Sequence, residues 1–185
     1  MTGARDLDVA QRIYDELGWV DSWKLQKLTY YTQAWSLAWT GTPLFEGRIE
    51  AWKDGPVAPA LFRVNKYNRA HFHDTYVPGS DTARLSSDGL AIVDEVVRFY
   101  GGFDKPALVN LTHGERPWKS AYQRGKNSLI ESVDMYRFYS ELAEIGGAVP
   151  SRPELSGDAV DEAEFEAAFK AEMPRWTRTL ERLAQ

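Results

Sequence analysis

The 185-residue chain contains no cysteine. That excludes disulfide scaffolds, thiolate zinc sites, iron–sulfur clusters and thiol nucleophiles. No uninterrupted apolar run approaches the roughly 18–20 residues of a membrane span. The opening Met1-Thr2-Gly3-Ala4-Arg5-Asp6 is not a basic region leading into an apolar stretch, so no signal peptide is expected. A basic excess is also missing: 22 Lys and Arg stand against 27 Asp and Glu, a net charge of -5. Broad nonspecific nucleic-acid binding runs on phosphate neutralisation, and this balance argues against it. Catalytic signatures are equally scarce. There is no Gly-x-Ser-x-Gly, no phosphate-cradling glycine loop and no dinucleotide fingerprint. The expectation is a cytoplasmic, soluble binding protein that is not an enzyme and carries no cofactor.

Aromatic residues are plentiful: seven Trp, nine Tyr and eight Phe. The densest stretch runs from Ser22, read as an N-cap, to Thr40, with Gly41 and Pro43 as terminators. Trp23, Leu25, Leu28, Tyr30, Tyr31, Ala34, Trp35, Leu37, Ala38 and Trp39 cover most of a helix circumference, leaving one polar stripe of Gln26, Thr29, Gln33, Ser36 and Thr40. A helix apolar over so wide an arc belongs at the centre of a domain. Helical spacing places further helices over 7–17, from Pro59, from Ser86 to Tyr100, after Asp104, at Pro117-Trp118 and from Ser132 to Gly146. Arg48–Lys53 alternates as a short strand before an Asp54-Gly55-Pro56 turn, and a second short strand is expected near His71–Val77. The fold class is therefore mainly α: one compact helical domain over 1–146 around the 22–40 helix, with a small β element. A Gly/Pro-rich linker over 147–157 and an acidic amphipathic helical tail over 158–185 follow. Residues 151–185 carry 5 basic and 8 acidic residues against 17 and 19 before them, so the charge is concentrated in the appendage.

His71-Phe72-His73 has a spacing that metal sites use, but a third ligand is wanting, and a polar loop is the simpler reading. Arg116, Lys119, Arg124 and Lys126, interleaved with Trp118 and Tyr122, read chiefly as a solvated rim. Trp39, Trp52 and Trp118 each border a Gly, Pro or charged segment, where Trp acts as an interface anchor or as a structural residue. Trp39, Trp52, Tyr67 and Trp118 are the candidate anchors, and Lys24, Lys27, Lys53 and His113 the candidate polar contacts. Lys24 and Lys27 stand in the first turns of a helix, where the dipole disfavours cations, so an acidic partner within the fold or outside it is expected. In the tail, Phe165, Phe169 and Trp176 form an apolar face that suits docking either in cis or on another chain.

Leu25-Gln26-Lys27-Leu28, followed by Tyr30-Tyr31 and Ala34-Trp35, resembles the opening helix of the Panacea antitoxin domain of SocA-like and phage-associated GepA-like proteins. Pro43-Leu44-Phe45, Glu50-Ala51-Trp52, Gly55-Pro56-Val57 with Leu61 and Tyr67, Leu108-x-x-Leu111-Thr112-His113 and Pro117-Trp118 continue the likeness in order, over roughly residues 8–145. Ser36 departs from it, standing where relatives often carry His, and the tail lies beyond it. The resemblance implies an antitoxin that neutralises a cognate toxin by direct protein–protein contact, in bacterial or phage-defence settings. Two alternatives remain: an adaptor that delivers the toxin to a protease, or a DNA-binding autorepressor. Nucleic acid is the less favoured partner, no membrane is implied, and self-association into a homo-oligomer stays open.

Overall fold

The computed structural model describes residues 3–67 and 74–158, without the side chains of Lys66, Tyr67 and Asp158. Met1–Pro153 form one compact unit and Glu154–Gln185 a second, of which the short 3-10 turn Ser156–Asp158 is described. The His71/His73 pair and the tail residues Phe165, Phe169 and Trp176 lie outside the described residues.

The first unit consists of α1 (Asp6–Leu17), α2 (Ser22–Thr40), α3 (Pro59–Tyr67), α4 (Ser87–Tyr100), α5 (Lys105–Gly114), α6 (Arg116–Arg124) and α7 (Ser132–Ile145), with a small sheet of β1 (Glu50–Trp52), β2 (Gly55–Val57) and β3 (Ser128–Leu129) packed on α2, α5 and α6. The unit is thus mainly helical with a small β element. Helix α2 is its axis: it packs against α1, α3, α4, α5, α7 and β2, and every residue from Leu25 to Leu37 is buried.

The N-cap of α2 is Asp21, one residue before the expected Ser22. Its carboxylate accepts from the amides of Trp23 at 2.9 Å and Lys24 at 3.1 Å, placing a negative charge at the positive end of the helix. The helix stops where Gly41 turns left-handed, with φ +72. Ser86 caps α4 by accepting from Gly89 N at 3.1 Å, and Asp104 caps α5 by accepting from Ala107 N at 2.9 Å.

Burial from Leu25 to Leu37 forces Gln26, Thr29, Gln33 and Ser36 of the polar stripe to find internal partners, because an unpaired buried polar group costs about 1–3 kcal/mol. Gln33 accepts from Leu44 N at 2.9 Å and Phe45 N at 3.1 Å and donates to Phe45 O at 3.0 Å. It thereby fastens the whole Pro43-Leu44-Phe45 connection. Gln26 grips Ala58 in the same manner, accepting from its N–H at 2.7 Å and donating to its carbonyl at 3.4 Å. Ser36 donates to Thr42 O at 3.0 Å. The stripe is structural: it splices irregular backbone onto the central helix.

The sheet corrects two expectations. Residues Lys53-Asp54 make the hairpin turn, and Gly55–Val57 form β2, paired antiparallel with β1 in the register Trp52↔Gly55, Ala51↔Pro56 and Glu50↔Val57. Proline is compatible with β2 because it is an edge strand, where a missing donor interrupts no ladder. On the opposite side β1 pairs with β3, whose two residues are too few to show an alternating pattern. Residues 74–77 of the second expected strand are not extended into any sheet.

Candidate partner-binding site

The β1–β2 hairpin lies beside the first half of α2, and an open cleft of about 290 Å³ runs between them. Trp23, Trp52, Phe62 and Val57 supply its apolar walls, and Lys27, Lys53 and Asp54 its charges. Trp52 packs edge-on against Phe62 with ring centroids 4.8 Å apart, and its indole donates to Glu50 Oε2 at 3.0 Å. The ammonium of Lys105 lies 3.6 Å from the centre of the Trp23 ring, a cation–π contact on the cleft wall.

Lys27 is the unusual member. It is 1% exposed, and its ammonium donates to Pro56 O at 3.1 Å. Burial pushes its pKa down to about 8, against the attraction of Asp54 and Asp21. Those carboxylates are the acidic company expected within the fold. The side chain fits because Gly55, at φ +103, has no Cβ: one built there would lie 2.5 Å from Lys27 Cε and 2.9 Å from Thr112 Oγ1. Lys24 takes another course, donating to the Gly101 carbonyl after α4.

Behind the hairpin, the α5–α6 junction presents a stack of rings. His113 lies on Trp118 at 4.0 Å and 16°, and Trp118 on Tyr122 at 4.7 Å and 15°. Trp118 is only 8% exposed, and its indole donates to Trp52 O at 3.0 Å, clamping the hairpin from behind. Burial lowers the His113 pKa, and the Lys27 charge adds to the effect. Its Nε2 is buried without a hydrogen-bond partner.

The structure therefore brings Lys27, Trp52, Lys53, His113 and Trp118 together around one hairpin. Trp39 stands apart: it packs on Trp35 at 5.2 Å, twelve residues along α2 from Lys27, or about 18 Å at helical rise. Tyr67 closes α3, with its side chain outside the described set. The basic run on α6 is exposed, and Arg116 and Arg124 pair with Glu141 and Asp134 of α7.

Sequence reasoning passed over Phe62, Asp54 and Lys105, which α3, the hairpin turn and α5 respectively bring against the start of α2. It also missed Glu115 between α5 and α6, which is 6% exposed. This carboxyl accepts from Tyr139 Oη at 2.7 Å and Tyr31 Oη at 3.1 Å, and burial pushes its pKa up to about 7. Nothing in its local sequence marks it, because its partners lie 84 and 24 positions away.

Among the described residues no group of three or more His, Asp or Glu could hold a metal ion, and no helix is long and apolar enough to cross a membrane. The site is an open recess with aromatic walls and the buried Lys27 at its base. Residues 25–119, just over half of the chain, match the model of the antitoxin SocA-like Panacea domain, and the chain belongs to that family. No curated protein and no solved structure matches it. The matched stretch contains Lys27, Trp39, Trp52, Lys53, Tyr67, His113 and Trp118 and omits Lys24 and the tail. At the level of the family its role is that of an antitoxin, with a toxin as the general partner.

Proposed function

We propose that the protein neutralises a cognate toxin by direct protein–protein binding, using the face formed by the β1–β2 hairpin and the start of α2. The observation that carries this reading is the convergence of Lys27, Trp52 and Lys53 on one open cleft, within the family-matched segment. Aromatic walls around a small recess suit a partner side chain, and a few buried anchors of this kind supply most of an interface's affinity. Lys53 is exposed on the turn and forms no ion pair among the described residues, which leaves its charge for a partner. Trp118 and His113 act from behind by holding the hairpin in place. Neutralisation of this kind needs no catalytic residue and no cofactor.

The test is co-expression with the toxic product of the adjacent gene, followed by binding of the two purified proteins. Growth is expected to be rescued, and Trp52→Ala to weaken both rescue and binding while thermal stability stays near wild type. Rescue without any measurable complex would overturn direct binding. Rescue that disappears in a host lacking its ATP-dependent proteases would favour the adaptor mode.

A further inference from the structure

Glu115 is the single residue between α5 and α6. Its N–H donates to Thr112 O at 3.3 Å and its carbonyl accepts from Lys119 N at 3.1 Å, so it closes one helix and opens the next. Its carboxylate is turned inward, where Tyr31 of α2 and Tyr139 of α7 donate to it at 3.1 and 2.7 Å. The neighbouring His113 and Trp118 face the hairpin instead. The Trp118 indole donates to Trp52 O at 3.0 Å, and His113 stacks on that indole at 4.0 Å. Through this junction a carboxyl fastened to α2 and α7 is coupled to an indole fastened to β1.

The groups that face Glu115 are the hydroxyls of Tyr30 and Tyr31 from α2, Tyr100 from α4 and Tyr139 from α7, all neutral. Among the described residues no cation pairs with it, and the adjacent Arg116 is turned outward to Glu141. Burial outweighs the two hydroxyl donors and pushes the carboxyl up to about 7. A state that returns the group to water also returns it to the ordinary 4.5, so the enclosed state holds the proton more firmly.

We propose that the α5–α6 junction is a proton-controlled latch on the β1–β2 hairpin: protonated Glu115 keeps the junction seated among the tyrosines with Trp118 holding Trp52, and ionisation favours local release of both. Its bearing on toxin binding rests on the antitoxin reading; the latch itself does not. Release becomes easier as pH rises from 4.5 to 7 and levels off above. Two neighbours titrate differently. Burial lowers the His113 pKa, so a proton on the imidazole favours release on acidification. Lys27 acts only above about 8.

Native-state hydrogen exchange of the full-length protein tests this, read by NMR at pH 5 and pH 7.5 and corrected for intrinsic rates. The Trp118 indole N–H reports the latch, and the Leu28 amide at the centre of α2 reports unfolding of the whole unit. The indole is expected to exchange through a smaller opening than Leu28. Glu115→Gln cannot ionise, and the His113 contribution is common to both proteins. The ratio of Trp118 protection in this variant to that in wild type is therefore expected to rise about tenfold or more from pH 5 to pH 7.5.

Trp118 protection equal to that of Leu28 at both pH values would mean that the junction leaves only with the whole fold. A ratio that stays constant with pH would mean that Glu115 does not govern it. Either result overturns the latch. Tyr31→Phe supplies a second variant, which removes one donor and keeps the ring that stacks on Tyr100. With that donor gone the enclosed carboxyl ionises less readily, so the pH at which Trp118 protection levels off is expected to rise; an unmoved value also overturns the proposal. Neither readout involves the toxin, so loss of the latch leaves the antitoxin reading standing, and loss of that reading leaves the latch.

Discussion

The Tyr139 hydroxyl donates to Glu115 at 2.7 Å in the centre of the helical body, and it also lies 3.2 Å from the Tyr30 hydroxyl. Tyr31 donates to the other carboxylate oxygen at 3.1 Å and stacks on Tyr100 at 4.1 Å. Tyr100 in turn accepts from the Trp35 indole at 3.1 Å. One acidic side chain at the α5–α6 junction thus anchors a chain of rings from α2, α4 and α7. Burial raises all four tyrosine pKa values, so the hydroxyls remain protonated donors.

Glu115 makes stability depend on pH. Its carboxyl titrates at about 7 in the folded protein against an ordinary 4.5. Between these values the folded state holds a proton that the unfolded state has lost, so stability falls as pH rises through the window. Glu115→Gln is expected to remove that slope and to stabilise the protein at pH 8 by about 1–3 kcal/mol. Glu115→Ala is expected to destabilise at every pH, since two buried hydroxyls lose their acceptor. Thermal scans of the three proteins at pH 5 and pH 8 check this.

Lys27 acts with the opposite sign at higher pH. Its pKa falls from 10.5 to about 8 on folding, so between these values the unfolded state binds the additional proton. Stability therefore rises as pH increases from 8 to 10.5, and the full cost of the buried charge is present at pH 7. Lys27→Met is expected to abolish the rise and to equal or exceed wild-type stability at pH 7. Urea midpoints at pH 7, 9 and 10 measure the slope, and a wild-type slope in the variant would refute the assignment.

Gln33→Ala is expected to destabilise the protein by about 2–4 kcal/mol, because it strands the amides of Leu44 and Phe45 and the Phe45 carbonyl. Gln33→Glu retains the two acceptor contacts but loses the donor to Phe45 O and buries a charge, so it too is expected to fall below wild type. Urea denaturation measures both variants. The damage is expected to appear in stability, with toxin binding preserved in the folded fraction.

Gly55 and Lys27 are expected to be energetically coupled. Gly55→Ala places a methyl group 2.5 Å from Lys27 Cε at a φ of +103, so it meets both a collision and backbone strain. In a Lys27→Ala background the collision with the lysine disappears, while the 2.9 Å approach to Thr112 Oγ1 and the strain persist. A double-mutant cycle on unfolding free energies is expected to give an interaction of about 1 kcal/mol or more, and strict additivity would contradict the packing.

Most of the helical framework was legible in the sequence, because caps and periodicity are local. Ser86 and Asp104 hold the N-termini expected of them, and the apolar arc of α2 announced a helix enclosed on all sides. Asp21 took the cap from Ser22 because both residues are good caps and only backbone geometry chooses between neighbours. The hairpin was displaced for a related reason: Asp54-Gly55-Pro56 has the composition of a turn, yet pairing with β1 draws Gly55–Val57 into the sheet. The site was legible as a set of residue types and not as a place. Lys27, Trp52, Lys53, His113 and Trp118 are scattered over more than ninety positions, and only the packing of the hairpin between α2 and the α5–α6 junction assembles them.

By itself, then, the sequence determined what local chemistry can specify: the order of helices, the centrality of α2, the lack of thiol chemistry and the family's ordered motif. Tertiary structure alone decided which polar residues serve the interior and which stay exposed. Gln26, Gln33 and Ser36 spend their hydrogen bonds on passing backbone, whereas Lys53 keeps an exposed charge beside a recess. The physical reason is that burial, and with it the cost of an unmet hydrogen bond or charge, is a property of long-range packing that neither composition nor spacing encodes.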